Sequence, residues 1–191
     1  MKKAVLVAAL LMGSPAALAS AESYVVDTEG MHASVNFKVS HLGYSWLTGR
    51  FDDFKSEFVF DEDNPSNSSV EVTINTNSIN TNHAERDRHL RGKDFLNTKK
   101  FPEATFKSTS VTADDDKGEY RVQGELTLHG VTQPVEFEIE QVGAGKDPWG
   151  GYRRGFEGEL AIKPADFGMN YDVGPLANTV YLEFHLEGVR Q

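Results

Sequence analysis

The sequence predicts an all-β protein: an antiparallel barrel of eight strands with one short helix in a connection. Three observations lead there. Apolar and polar residues alternate with a period of two along most of the chain. Clusters of Asp, Asn, Gly and Pro punctuate the alternating runs. One stretch alone, Asn82 to Leu96, breaks the alternation and carries a helix-start pattern.

The chain opens with Lys2 and Lys3, an unbroken apolar run from Ala4 to Met12, and Ala-x-Ala spacings at Ala17/Ala19 and Ala19/Ala21. This is the anatomy of a Sec signal peptide, and the run is too short to span a bilayer, which takes about 20 apolar residues. Residues 1–21 are therefore expected to be removed, with cleavage after Ala21 (after Ala19 as the alternative), leaving one domain at 22–191. The expected location is the periplasm, with release outside the cell left open.

The strands follow in order. From Met31, the residues Ala33, Val35, Phe37 and Val39 alternate with His32, Ser34, Asn36 and Lys38. Together with 24–27, residues 31–42 form the first strand. The second, 46–60, changes phase midway. Leu47, Gly49 and Phe51 share one phase, whereas Phe54, Phe58 and Phe60 share the other. A bulge or tight bend at Asp52-Asp53 returns all of them to one face. The same alternation places further strands at about 70–79, 103–112, 119–129, 134–143, 153–163 and 178–189. The exception, 82–96, reads as a polar helix with Asn82 and Glu85 as a capping box, packed by Leu90, Phe95 and Leu96 and ended at Gly92.

An antiparallel sheet with one wet face must cover the other. A two-sheet sandwich and a closed barrel both do so, and eight sequential strands favour closure, which removes the edges. The predicted inner face carries Val35, Phe37, Val39, Phe51, Phe58, Phe60, Val72, Ile74, Phe106, Leu126, Phe137, Leu160 and Phe184. Small residues, among them Gly49, Ser56, Gly124 and Gly158, share that phase. An eight-stranded barrel is wide enough either to fill with side chains or to hold one small ligand, and the composition does not choose between them.

There is no cysteine, which excludes thiol chemistry, disulfides and cysteine-based metal sites. Without Lys2 and Lys3, 17 basic and 29 acidic residues remain, a net charge of −12. That argues against nucleic acid and anionic membranes as partners. The six histidines are scattered, and His83 and His89 are wrongly spaced for one helical face, so no metal site is predicted. Neither a Gly-x-Ser-x-Gly elbow nor a phosphate-cradling loop is present. No catalytic residue and no cofactor are assigned.

Four stretches carry a resemblance. They are His32 through His41-Leu42-Gly43 with Gly49-Arg50-Phe51 and Phe58-Val59-Phe60-Asp61; Thr81 through Arg91 with Asp94-Phe95-Leu96; Phe101 through Thr109; and Gly124 through Val135. Spread in order over nearly the whole chain after residue 21, they resemble the bacterial YceI-like family of periplasmic polyisoprenoid-binding proteins. Asp147-Pro148-Trp149-Gly150-Gly151 is similar to the subgroup around its founding member. Gly92 departs from the family, which usually has serine there. The resemblance implies an extended lipocalin-like barrel holding a polyisoprenoid lipid, such as a quinone or polyprenyl compound, with no catalytic residues and no stable membrane insertion. His83, Arg86, His89 and Arg91 are the candidates for its headgroup; the competing reading is that an Arg86–Asp87 ion pair pins the helix to the barrel. An enzyme of isoprenoid quinone metabolism and a partner-binding protein with a filled core are the other readings, and a homodimer is left open.

Overall fold

The computed structural model describes residues 21–174 and 176–191. The expected signal peptide lies outside the described residues. Eleven strands and one α-helix make up the regular structure: β1 (Glu22–Val26), β2 (Ser34–His41), β3 (Ser45–Phe51), β4 (Phe54–Phe60), β5 (Ser69–Asn75), β6 (Ile79–Asn80), α1 (Ala84–Leu90), β7 (Glu103–Ala113), β8 (Glu119–Leu128), β9 (Val131–Lys146), β10 (Tyr152–Ile162) and β11 (Val180–Arg190). Three single turns of 3₁₀ helix complete it.

Eight strands close into an antiparallel ring in the order β1-β4-β5-β7-β8-β9-β10-β11 and back to β1. The barrel expected from the alternation is therefore the architecture, not the sandwich. One edge of β11 is shared. Its last residues pair with β1, as Val25 opposite Val189, and its first residues pair with β2, as Phe37 opposite Leu182. The β2–β3 hairpin and the two residues of β6 complete the wall at that end.

Two sequence-predicted strands are thus each two strands. Residues 27–33 turn between β1 and β2, with Met31 at a positive φ of 59°. Residues 46–60 break at Asp52-Asp53, where the Asp52 amide donates to the Ser78 carbonyl at 3.2 Å. The break restores the phase as expected, because Phe54, Phe58 and Phe60 all become buried. Its further effect is to send β3 to β2 and β4 to β1 and β5. Alternation alone does not show such a change of partner.

Glycines on the inner phase do not leave empty space. A Cβ on Gly49 would stand 2.4 Å from the Phe37 ring, and one on Gly158 would stand 2.7 Å from the Phe184 ring. Each glycine is a seat for a neighbouring phenyl group, so these aromatic rings lie flat along the wall. Packing of this kind matches large to small across facing positions.

Outside the barrel, charges are paired in local networks. Arg153 donates to Asp27 (2.8 Å), Glu187 (2.5 Å) and Asp147 (3.1 Å). The Asp27–His32–Glu187 trio has carboxylate and imidazole atoms close enough for a metal ion, and the Arg153 guanidinium is lodged against both acids. Arg153, helped by His32 and the Gly30 amide, holds the Asp27 carboxyl well below the usual carboxylate range. Asp87 is also lowered: burial pushes it up, but hydrogen bonds from Thr81 and the charges of Arg91 and Arg86 outweigh that. Groups with depressed folded pKa values stabilise the fold above their unfolded pKa near 4, and that contribution disappears as pH falls through the folded values. The midpoint of urea unfolding is expected to stay level from pH 7 to about 5 and to fall steadily below about pH 4. Asp27→Asn should flatten the acid limb, and an unchanged limb would count against the Arg153 network as its source.

Candidate functional site

The barrel interior holds two apolar clusters, one above the other along the axis. The first is built from Tyr24, Phe58, Phe60, Val111, Val122 and Phe156, the second from Phe37, Leu96, Leu128, Leu160, Ile162 and Phe167. Between and beside them runs an apolar cavity of about 110 Å³. At about 10–15 Å³ per water-sized space, that is room for about 7–11 such groups, or roughly two five-carbon isoprene units.

Of the thirteen residues predicted to face a ligand, ten border this cavity: Val35, Phe58, Phe60, Val72, Ile74, Phe106, Leu126, Phe137, Leu160 and Phe184. Phe37, Val39 and Phe51 do not. They stand on the stretch of wall formed by β2 and β3, where the Phe37 ring fills the seat at Gly49 and packs against Phe51 at 5.9 Å between centroids. Their phase is inward, but their depth along the axis puts them in the filled part. Val122, Ile139, Phe156, Leu182 and Leu186 also border the cavity. All five sit on inner phases of alternating runs that the sequence shows, so the same signal finds them.

Both ends of the barrel are packed beyond the cavity. At one end the 3₁₀ turn Pro164–Phe167 brings in Phe167, only 2% exposed, and the segment after α1 brings in Leu96. At the other end stands Arg154, 4% exposed and pointing inward. It donates to Gln141 (2.5 Å), Glu62 (3.0 Å) and the Tyr24 hydroxyl (3.3 Å), and its guanidinium covers the Phe60 ring at 4.6 Å. A buried arginine needs such partners, because an unpaired charge away from water is costly. Sequence reading missed Arg154, although it falls two residues before Phe156 on the inward phase. An arginine on an apolar face was the signal.

The headgroup candidates occupy different ground. None of His83, Arg86, His89 or Arg91 borders the cavity. His83, rather than Asn82, caps α1, its Nδ1 accepting from the Arg86 amide at 3.2 Å, while Asn82 takes a positive φ of 59°. Glu85 is exposed and pairs with Arg88, so the expected capping box does not form. Arg86 donates to the Thr81 hydroxyl (2.7 Å) and carbonyl (2.8 Å). Arg91 donates to the carbonyls of Asn77 and Ile79, each at 2.7 Å. Buried Asp87 accepts from the Thr81 amide at 2.9 Å and its hydroxyl at 2.5 Å. The polar helix is therefore strapped to the segment around β6 through Thr81, Asn77 and Ile79 rather than through a direct Arg86–Asp87 pair. His89 lies beside Asp94 and edge-on to Phe95 and Tyr171. The helix ends at Leu90, before Gly92.

What the cavity can do chemically follows from its lining. Among the described residues no Lys, Arg, His, Asp or Glu borders it. It offers no general acid, base or nucleophile pair, and it suits an apolar chain held by dispersion and exclusion from water. No helix among the described residues is long and apolar enough to cross a membrane.

Known proteins agree with this architecture. Protein YceI of Escherichia coli O157:H7 is 53% identical over 194 residues, covering 100% of both chains. The crystal structure of BcnA from Burkholderia cenocepacia matches with a TM-score of 0.73 at 27% identity, over 85% of this chain and 98% of that one. A domain from Saccharophagus degradans, described as a polyisoprenoid binding domain implicated in plant cell wall breakdown, matches with a TM-score of 0.63 over 90% of this chain and 100% of that one. Its 19% identity speaks for the fold alone. Residues 24–188 match the YceI-like domain, and the chain belongs to that family.

Proposed function

We propose that the protein binds a long-chain polyisoprenoid lipid, a quinone or polyprenyl compound, inside its barrel and carries it through the periplasm. The observation behind this reading is the cavity inside the barrel, whose lining is apolar and free of charged side chains. The Saccharophagus domain of the same fold, described as polyisoprenoid-binding, and membership of the YceI-like family support it. The signal-peptide pattern at the N-terminus supports export.

The energetics suit a carrier. Each buried methylene-sized group contributes about 0.8 kcal/mol. Ordering a flexible tail offsets part of that gain. The absence of an acid–base pair in the lining supports binding without turnover, in keeping with a binding-domain fold.

The test is mass spectrometry of an organic extract of the purified mature protein. A polyprenyl or quinone species near one per protein is expected. Trace, mixed lipid from protein purified without detergent would sink the carrier reading.

A further inference from the structure

The ends of the barrel are packed, yet the cavity's lining includes residues that do not face inward. Val59 and Ser69 are opposite one another on β4 and β5, out of phase with inward Phe58, Phe60 and Val70, and both border the cavity, as does Ser68. Outward-phase residues gathered at one place on the lining mark a thin or open stretch of wall. That place is the seam between β5 and β7.

The seam is a break in the ladder. Backbone pairing of β5 with β7 runs from Asn75 opposite Glu103 to Glu71 opposite Lys107 and stops, although β7 continues to Ala113. Beyond the last pair the Val70 amide donates to the Ser108 side chain at 2.9 Å, in place of a backbone carbonyl. On its other edge β7 shifts register against β8 between Ser108 and Ser110. Such a bulge bends a strand and turns it from its neighbour. The connection from β4 to β5, residues 61–68, covers the gap, and its 3₁₀ turn Pro65–Asn67 packs on β7. Asp61 stiffens this connection, accepting from the Asn64 amide and the Asn67 side chain, both at 2.9 Å. Glu62 ties it to Arg154.

We propose that the β5–β7 seam is the portal through which the ligand passes, with residues 61–68 as its flap and the ligand's polar end resting at its rim. The proposal rests on the carrier reading. A side door also fits the size of the cavity, since a chain longer than roughly two isoprene units needs somewhere to continue. The exposed residues Ser69 and Thr105 supply hydroxyls at the rim, whereas the Ser68 hydroxyl already accepts from the Asp61 amide at 3.0 Å. The cations that adjoin this stretch are paired: Lys107 with Glu71 at 2.5 Å and Arg154 with Glu62 of the flap at 3.0 Å. Hydroxyls without a free cation suit an uncharged oxygen, an alcohol or a carbonyl. A diphosphate would call for arginine or lysine.

The chain has no cysteine, so a disulfide across the seam is a clean test. Val70 and Ser108 are the next facing positions beyond the Glu71–Lys107 pair and are joined by the amide-to-Oγ hydrogen bond, so Val70→Cys/Ser108→Cys is the pair chosen to bridge. Uptake of tritiated farnesol is followed by rapid gel filtration in oxidised and reduced forms of this variant. Oxidation should slow uptake and release at least tenfold, and reduction should restore both. Equal rates in the two forms, with wild type loading normally, overturn the portal and leave the carrier reading intact. Failure of wild type to load overturns the carrier reading and the portal with it. If titration shows the thiols still free, Ser69→Trp sets an indole on the rim: slower uptake supports the portal and unchanged uptake overturns it. Equilibrium binding of farnesol should be at least tenfold tighter than that of farnesyl diphosphate, and equal or reversed affinities overturn the assignment of an uncharged head.

Discussion

Val72→Trp is expected to lower the lipid content of the purified protein at least tenfold while the barrel stays folded. Val72 lies mid-way along β5, opposite Ser56 on β4 and Phe106 on β7, and it borders the cavity. An indole there occupies the space in which an apolar tail would lie. A tenfold loss corresponds to about 1.4 kcal/mol. That is less than two methylene groups' worth of burial at about 0.8 kcal/mol each, so the threshold is modest. Overpacking costs about 1–3 kcal/mol. The measurement is therefore paired: extracted lipid per protein by mass spectrometry, and thermal unfolding by circular dichroism. A folded Val72→Trp protein with full lipid content would put the lipid somewhere other than this cavity.

The second large effect belongs to Gly124. A Cβ at this position would stand 2.5 Å from the Lys107 carbonyl oxygen and 2.5 Å from the Phe106 ring. The ring can shift, but the carbonyl belongs to the neighbouring strand and moves only with it. Gly124→Val should destabilise by about 3 kcal/mol, which for a chain of this length lowers Tm by about 6–12 °C. Gly143 provides the contrast, because nothing lies within 4 Å of its would-be Cβ. Gly143→Ala should leave Tm unchanged or raise it slightly. Similar Tm values for the two variants would mean that the β7–β8 contact is looser than its geometry.

The alternation of residues made the inner face readable, since a pleated strand sends every second side chain to the same side. For this reason the sequence alone places Val72, Phe106, Leu126 and Phe184 in the interior. Alternation says nothing of height along the axis. Phe37, Val39 and Phe51 share the pattern of Val35 but stand where the barrel is filled. Plugs are also hard to read, because they are made across the chain: Arg154 is held by Glu62 and Gln141, each on a different strand or connection. The helix cap turned on one residue. Asn82 is a good capping type, but the backbone there is left-handed and His83 takes the role. The bulge at Ser108–Ser110 left only a faint mark: Phe106 and Val111 lie on opposite phases, but the hydroxyl residues between them carry no apolar alternation to show where the phase changes.

The ring is closed by its first and last strands, as Tyr24 meets Arg190 and Val26 meets Gly188. A chain lacking β11 is therefore an open sheet, with β10 at one rim and β1 and β2 deprived of their shared neighbour. Such unpaired rims are templates for pairing with other chains. Closure spans nearly the whole sequence, and contacts so distant form slowly, on the order of milliseconds to seconds. The closed barrel thus comes last, when the final eleven-residue strand docks. Until then an incomplete chain is vulnerable to self-association.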